Sequence, residues 1–112
     1  MAQAPTIGAL RERVQLKRRD VADDGQGGAL TTFVPVATVW ARVRALSARL
    51  ATSADARGSA ITHSVVMRYR SDVSAGDRLV FAGRNLEVVS AADLDGRRAY
   101  LACTCSEVAV TG

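Results

Sequence analysis

Residues 61–73 read ITHSVVMRYRSDV, and the spacing of their apolar groups decides the fold class. Ile61, Val65, Met67 and Tyr69 fall at alternate positions together with His63, and the polar residues Thr62, Ser64, Arg68 and Arg70 lie between them. Successive side chains on a strand point to opposite sides of a sheet, so a period of two sends one set inward and the other outward. A helix would instead need apolar groups at intervals of three and four. His63, the single histidine, then belongs to the buried face, and the sheet itself separates it from Arg68 and Arg70. The nearness of histidine, tyrosine and arginine along the chain is a strand seen edge-on, not a catalytic or phosphate-binding cluster.

The same period recurs on both sides of this stretch. Leu10, Glu12, Val14 and Leu16 alternate with Arg11, Arg13, Gln15 and Lys17, the pattern of a half-buried strand. The Asp- and Gly-rich run 20–30, DVADDGQGGAL, has no apolar period and predicts an exposed loop or hairpin tip. A long strand is expected over 31–46, with Val39, Ala41 and Val43 on one face, Trp40, Arg42 and Arg44 on the other, and Pro35 at an edge or bulge. Residues 78–82 and 85–91 form a hairpin across a tight turn, and the D-L-D-G-R sequence at 93–97 predicts another before a last strand through Val108. The fold class is all-β, a small antiparallel barrel or sandwich of five to six strands. One long loop is inserted, residues 47–60, SARLATSADARGSA, which has no apolar stripe wide enough to dock a helix. The 112 residues are expected to form a single domain with flexible termini at 1–7 and 108–112.

Composition agrees with strand packing, because hydrophobic residues make up 48% and aromatics only 4%, leaving Val, Leu, Ile and Ala to fill the core. No apolar run approaches the roughly 18–20 residues that span a bilayer. The first ten residues lack the basic start and apolar stretch of a secretion signal, so a soluble protein made in a cytoplasm and bound to no membrane is expected. The net charge of +4 belongs to one end: residues 1–19 carry five basic groups against Glu12 alone, and the remainder balances ten against ten. A local basic patch of this kind suits an acidic partner surface or phosphates.

The residue types that carry chemistry are sparse. A nucleophile needs a positioned base, and His63 stands on a strand far from any serine elbow or reactive-cysteine context. Cys103 and Cys105 read as small buried hydrophobes with reduced thiols, since i and i+2 positions on a strand suit neither a mutual disulfide nor a four-ligand zinc site. Asp93 and Asp95 are explained by turn chemistry. No catalytic residue, metal or cofactor is therefore expected. Trp40 is either a wall aromatic covering one end of the core or an interface anchor. Arg42, Arg44, Arg68 and Arg70 are either solvated strand faces with acidic cross-strand partners such as Glu87, or, if their strands are neighbours, a like-charged patch awaiting a partner's acids.

Taken in order, several segments resemble the head–tail joining family of tailed phages, the head-closure or stopper proteins, including those of phage-like gene transfer particles. They are GALRERVQL at Gly8–Leu16, ATVWARV at Ala37–Val43, THSVVMRYR at Thr62–Arg70, DVSAGDRLVFAGR at Asp72–Arg84, and DLDGRRAYLACTC at Asp93–Cys105, closed by Glu107. The resemblance implies a structural virion component of the neck, assembled in the bacterial host cytoplasm, and no enzyme. It implies a homo-oligomeric ring of six or twelve copies that retains packaged double-stranded DNA and joins the portal or adaptor to the tail terminator or tail tube. Two different faces per subunit would close such a ring. The 47–60 loop, through Arg49, Leu50, Asp55 and Arg57, is then expected to line or plug the channel. Arg11, Arg13, Lys17, Trp40, Arg42, Arg44, Arg68 and Arg70 are expected at subunit or partner interfaces, with the 20–31 loop beside them. A tail terminator or adaptor role, or a small nucleic-acid-binding β-barrel, are the alternatives.

Overall fold

The computed structural model describes residues 10–46 and 61–108. Six strands run in chain order as β1 (Glu12–Asp23), β2 (Ala29–Ala45), β3 (His63–Arg68), β4 (Arg78–Phe81), β5 (Arg84–Leu94) and β6 (Tyr100–Val108). Every pairing is antiparallel, and the spatial order β1-β2-β3-β6-β5-β4 closes on itself through β4 and β1. The described residues contain no helix. The expectation of an all-β barrel is therefore met, at the upper end of the expected strand count.

The period-two alternation does the packing. Val14 and Leu16 of β1, Val65 and Met67 of β3, Leu86 and Val88 of β5, and Leu101, Cys103 and Cys105 of β6 enclose one core with Ala41, Val73 and Leu79. No aromatic is fully buried there; Tyr69 and Phe81 only flank the cluster. His63 is buried as its parity requires, and its Nδ1 lies 2.8 Å from Thr62 Oγ1. The same hydroxyl accepts the Glu107 N–H at 2.8 Å, so Thr62 ties the histidine to β6.

Two turns follow the sequence closely. Ala82 and Gly83, with φ of 51° and 79°, join β4 to β5 across the Phe81–Arg84 pair. Positive φ at both central residues matches the right-handed twist of the flanking strands. The Asp93 carboxylate accepts the Arg98 N–H at 3.0 Å, so the D-L-D-G segment is turn chemistry as expected.

The region 20–31 differs from its expected loop. Strand pairing continues past the barrel rim to Asp23↔Ala29, so that only residues 24–28 form the tip, tied by Gln26 and Gly28 N–H groups donating to Asp24 Oδ1. From Arg18 outward β1 is exposed along its whole length, giving a two-stranded ribbon. The sequence conceals this because an exposed ribbon has no buried face to impose alternation. A bulge at its base leaves Val36 without a partner, between the Leu16↔Ala37 and Lys17↔Pro35 pairs; Pro35 lies at the bulge, as predicted. β6 ends at Val108, the residue at which the sequence placed both the end of the last strand and the start of the tail. The rest of the expected tails falls outside the described residues.

Closure rests on three pairs only, Gln15↔Val80, Leu16↔Leu79 and Lys17↔Arg78. Asp77, just before β4, reinforces this seam. It is 5% exposed, and its carboxylate accepts the Arg19 N–H at 3.0 Å and the Ser74 N–H at 2.9 Å. Its own carbonyl accepts Val88 N–H at 2.9 Å, so one residue fastens β1, the 71–77 turn and β5. Gly76 (φ 96°) lets the Arg19 guanidinium lie close, 3.3 Å from where a Cβ would stand. Replacing Asp77 with alanine strands two backbone donors and is expected to cost about 2–4 kcal/mol in chemical denaturation, at an unchanged denaturant slope. A loss below about 1 kcal/mol would show that water replaces the carboxylate.

Candidate partner-binding face

The outward residues of β1, β2, β3 and β6 form rows across the sheet. One row runs from Arg13 to Trp40, which are register partners. It continues through Arg68, next to Met67 whose partner is Ala41, to Tyr100, the partner of Arg68. Trp40 is 54% exposed and is thus no cover for the core. The Arg13 guanidinium carbon lies 5.2 Å from the Trp40 ring centroid. An exposed cation–π contact of this kind contributes about 0.5–1 kcal/mol.

Two grooves flank Trp40. One, of 420 Å³, is lined by Leu10, Arg11, Trp40 and Arg68; the other, of 270 Å³, by Val39, Trp40, Arg68, Tyr69 and Arg70. Among the described residues no carboxylate lines either groove. The structure thus brings together Arg11, Arg13, Trp40, Arg68 and Arg70 from the residues singled out in the sequence. Arg44 is exposed two rows further along β2. Lys17 is separate, at the β1–β4 seam opposite Arg78. Arg70 forms an ion pair with Asp72 at 2.8 Å, which raises the arginine's pKa and lowers that of the carboxyl, chiefly through their side-chain hydrogen bonds.

The strands carrying Arg42/Arg44 and Arg68 are neighbours, as the repulsion argument required. Glu87 relieves none of them: it stands on β5 opposite Arg78 and Ser106. Arg42 is half-buried with its Nε unpartnered, and its register partner Val66 is 1% exposed although it lies on the outer side of β3. Sequence alternation missed this burial because it assigns Val66 to the polar face. Arg49, Leu50, Asp55 and Arg57 lie outside the described residues.

A second feature is the clustering of chain exits. Val43 N–H donates to Glu12 Oε2 at 3.0 Å, Leu46 N–H to the Thr62 carbonyl at 2.8 Å, and Thr62 N–H to the Cys105 carbonyl at 2.9 Å. Residues 10, 46, 61 and 108 therefore all emerge at one end of the barrel, opposite the ribbon. Leu46 and Thr62, on either side of the 47–60 insertion, are hydrogen-bonded to each other there.

Among the described residues, no three of His, Cys, Asp and Glu converge in a way that could hold a metal. Cys103 and Cys105 are free and buried. Burial pushes the Cys103 thiol from 9.0 up to about 12, and burial followed by the neighbouring Cys103 raises Cys105 as well. Such thiols are poor nucleophiles.

The fold and this surface define a small β-barrel that presents a cationic, aromatic-centred face and two differently built ends, the equipment of a component that binds other macromolecules. A family model described as "Phage head completion protein" matches residues 5–108, and the chain belongs to that family. It is accordingly a structural protein of a phage or phage-like head, with its location in the virion. A search of curated proteins gives no match. Among solved structures, protein SF1141 from Shigella flexneri 2a is 31% identical, with a TM-score of 0.73, covering 94% of this chain and 98% of that one. A chain from the virion of a native gene transfer agent particle is 22% identical, with a TM-score of 0.67 over 90% of this chain and 97% of that one; this likeness speaks to the fold.

Two outcomes follow from this surface and its core. Trp40→Ala should change unfolding free energy by less than about 1 kcal/mol, and Trp40 fluorescence should be open to aqueous quenchers in the isolated chain; a larger loss would make Trp40 structural. For the thiols the folded pKa is raised, so their stabilising contribution is present below the unfolded value and lost as pH rises. Unfolding free energy should therefore fall between pH 9.0 and about 12, and a Cys103→Ala/Cys105→Ala chain should lose this part of the slope.

Proposed function

We propose that this protein is a ring-forming head-closure component of the neck, which retains packaged double-stranded DNA and joins the portal or its adaptor to the tail terminator or tail tube. The observation that carries this reading is the family match over residues 5–108 on a subunit whose ribbon lies at the end opposite Leu46 and Thr62, beyond which the 47–60 insertion begins and ends. A ring built from one kind of subunit needs complementary, unlike surfaces and a segment free to face the axis. The stapled exits at Leu46 and Thr62 launch the 47–60 insertion from one rim, which suits a channel-lining or plugging role for Arg49, Leu50, Asp55 and Arg57. Two arginines balanced in part by Asp55 would meet DNA phosphates without holding them tightly, since each neutralised phosphate strengthens salt-dependent adhesion. The cationic face and the ribbon are left for protein partners. In this role the protein needs no chemistry of its own.

The test is deletion of the gene, followed by purification of particles. Filled heads that leak DNA and carry no tail, rescued by the wild-type chain, are expected. Full retention of DNA and normal tailing without the protein would overturn the reading. So would a map of the neck that shows no ring of this chain.

A further inference from the structure

The ribbon and the Trp40 face are complementary in charge and in polarity. Arg18 and Arg19 stand at the base of the ribbon, but no further lysine or arginine follows until Arg42, whereas Asp20, Asp23 and Asp24 lie at or near the tip. Asp23 and Asp24 each use Oδ1 to hold tip N–H groups, and both side chains are exposed. The ribbon is also apolar where nothing covers it. Leu30 is 57% and Val34 37% exposed, and their register partners Ala22 and Arg18 share the parity of the core residues Val14 and Leu16. This is the barrel's inner face continued beyond the rim, where no opposite wall exists. An apolar, acidic strip of this kind is made to be buried against something basic and apolar.

The Trp40 face supplies that chemistry. Arg13 and Arg68 flank an indole that is 54% exposed, with Leu10 and Arg11 along the same 420 Å³ groove. Charge separation between two places on one chain favours a head-to-tail contact between copies, because each subunit offers one of each. Self-docking within one chain is excluded by the pairing: Trp40 lies on the barrel-side half of β2, and the tip extends away from it along the same strand. The geometry points to the ribbon of one copy docking on the Trp40–arginine face of the next, with Leu30 entering the groove beside Trp40 and the tip aspartates meeting Arg13 and Arg68. This rests on the ring reading above and specifies which two surfaces make the ring.

Two charge-reversed chains test it. One carries Asp20→Lys and Asp23→Lys; the other carries Arg13→Glu and Arg68→Glu. All four side chains are exposed, and circular dichroism checks that both chains fold. The wild-type chain, followed by sedimentation and chemical crosslinking up to millimolar concentration, is expected to form head-to-tail oligomers that weaken with added salt. Each variant alone should associate at least about a hundredfold more weakly, because like charges now face each other. An equimolar mixture should associate again, as oligomers in which the two chains alternate, since the ribbon of each variant then meets an oppositely charged face on the other.

Variants that associate like the wild type, a mixture that does not associate, or a wild-type chain that stays monomeric throughout would each overturn the inference. Loss of nucleic-acid binding without loss of association, on reversing Arg13 and Arg68, would assign the face to DNA instead. Loss of binding only to another neck protein would assign it to that partner. A neck ring whose subunits meet elsewhere would sink this contact and leave the ring intact.

Discussion

Everything in this structure depends on a three-rung seam. Pairing of Gln15, Leu16 and Lys17 with Val80, Leu79 and Arg78 turns a six-stranded sheet into a closed ring, and only closure gives the small aliphatic core a wall on every side. Three pairs are few, and backbone bonds at the seam's lower end would fray without help. Asp77 provides it by holding Arg19 and Ser74 with one buried carboxylate and Val88 with its carbonyl. Hydrogen bonds to a charged acceptor contribute about 1.5–3 kcal/mol, more than the neutral ones around them. The burial of a charge is thereby offset, and the ring is locked beside the point where the ribbon departs.

Much of this was legible in the sequence, and the parts that were not share a physical cause. The strand over 63–68, the buried His63 and the inert cysteines follow from alternation, because one face of each strand meets the core. The turn at Asp93–Gly96 follows from local side-chain chemistry, and that at Ala82–Gly83 from a short glycine-containing break between two apolar runs. The ribbon did not, since a strand exposed on both sides has no alternation to detect. Nor did the β5 bulge at Val89, which shifts the faces so that Ser90 pairs outward with Thr104. Asp77 was hidden as an ordinary turn aspartate, and only its long-range bond to Arg19 distinguishes it.

The surface that matters for binding was legible as a list but not as an arrangement. Arg11, Arg13, Trp40, Arg68 and Arg70 were singled out one strand at a time, and their convergence required the β1-β2-β3 order. Lys17 and Glu87 show the converse, since both stand away from the residues with which the sequence grouped them. Family membership and this surface agree on a protein that works by fitting against neighbours.

The ribbon has a further consequence for the chain before it finds those neighbours. From Ala29 to Trp40 β2 is paired on one side only, because its pairing with β3 begins at Ala41, opposite Met67. Its open edge includes ALTTFV at 29–34, six residues without a charge. Natural edge strands are usually guarded by charge, and here the guards are Pro35 and the aspartates of the opposite strand. This open edge is a place where crowded copies could pair strand to strand, a hazard that barrel stability does nothing to remove.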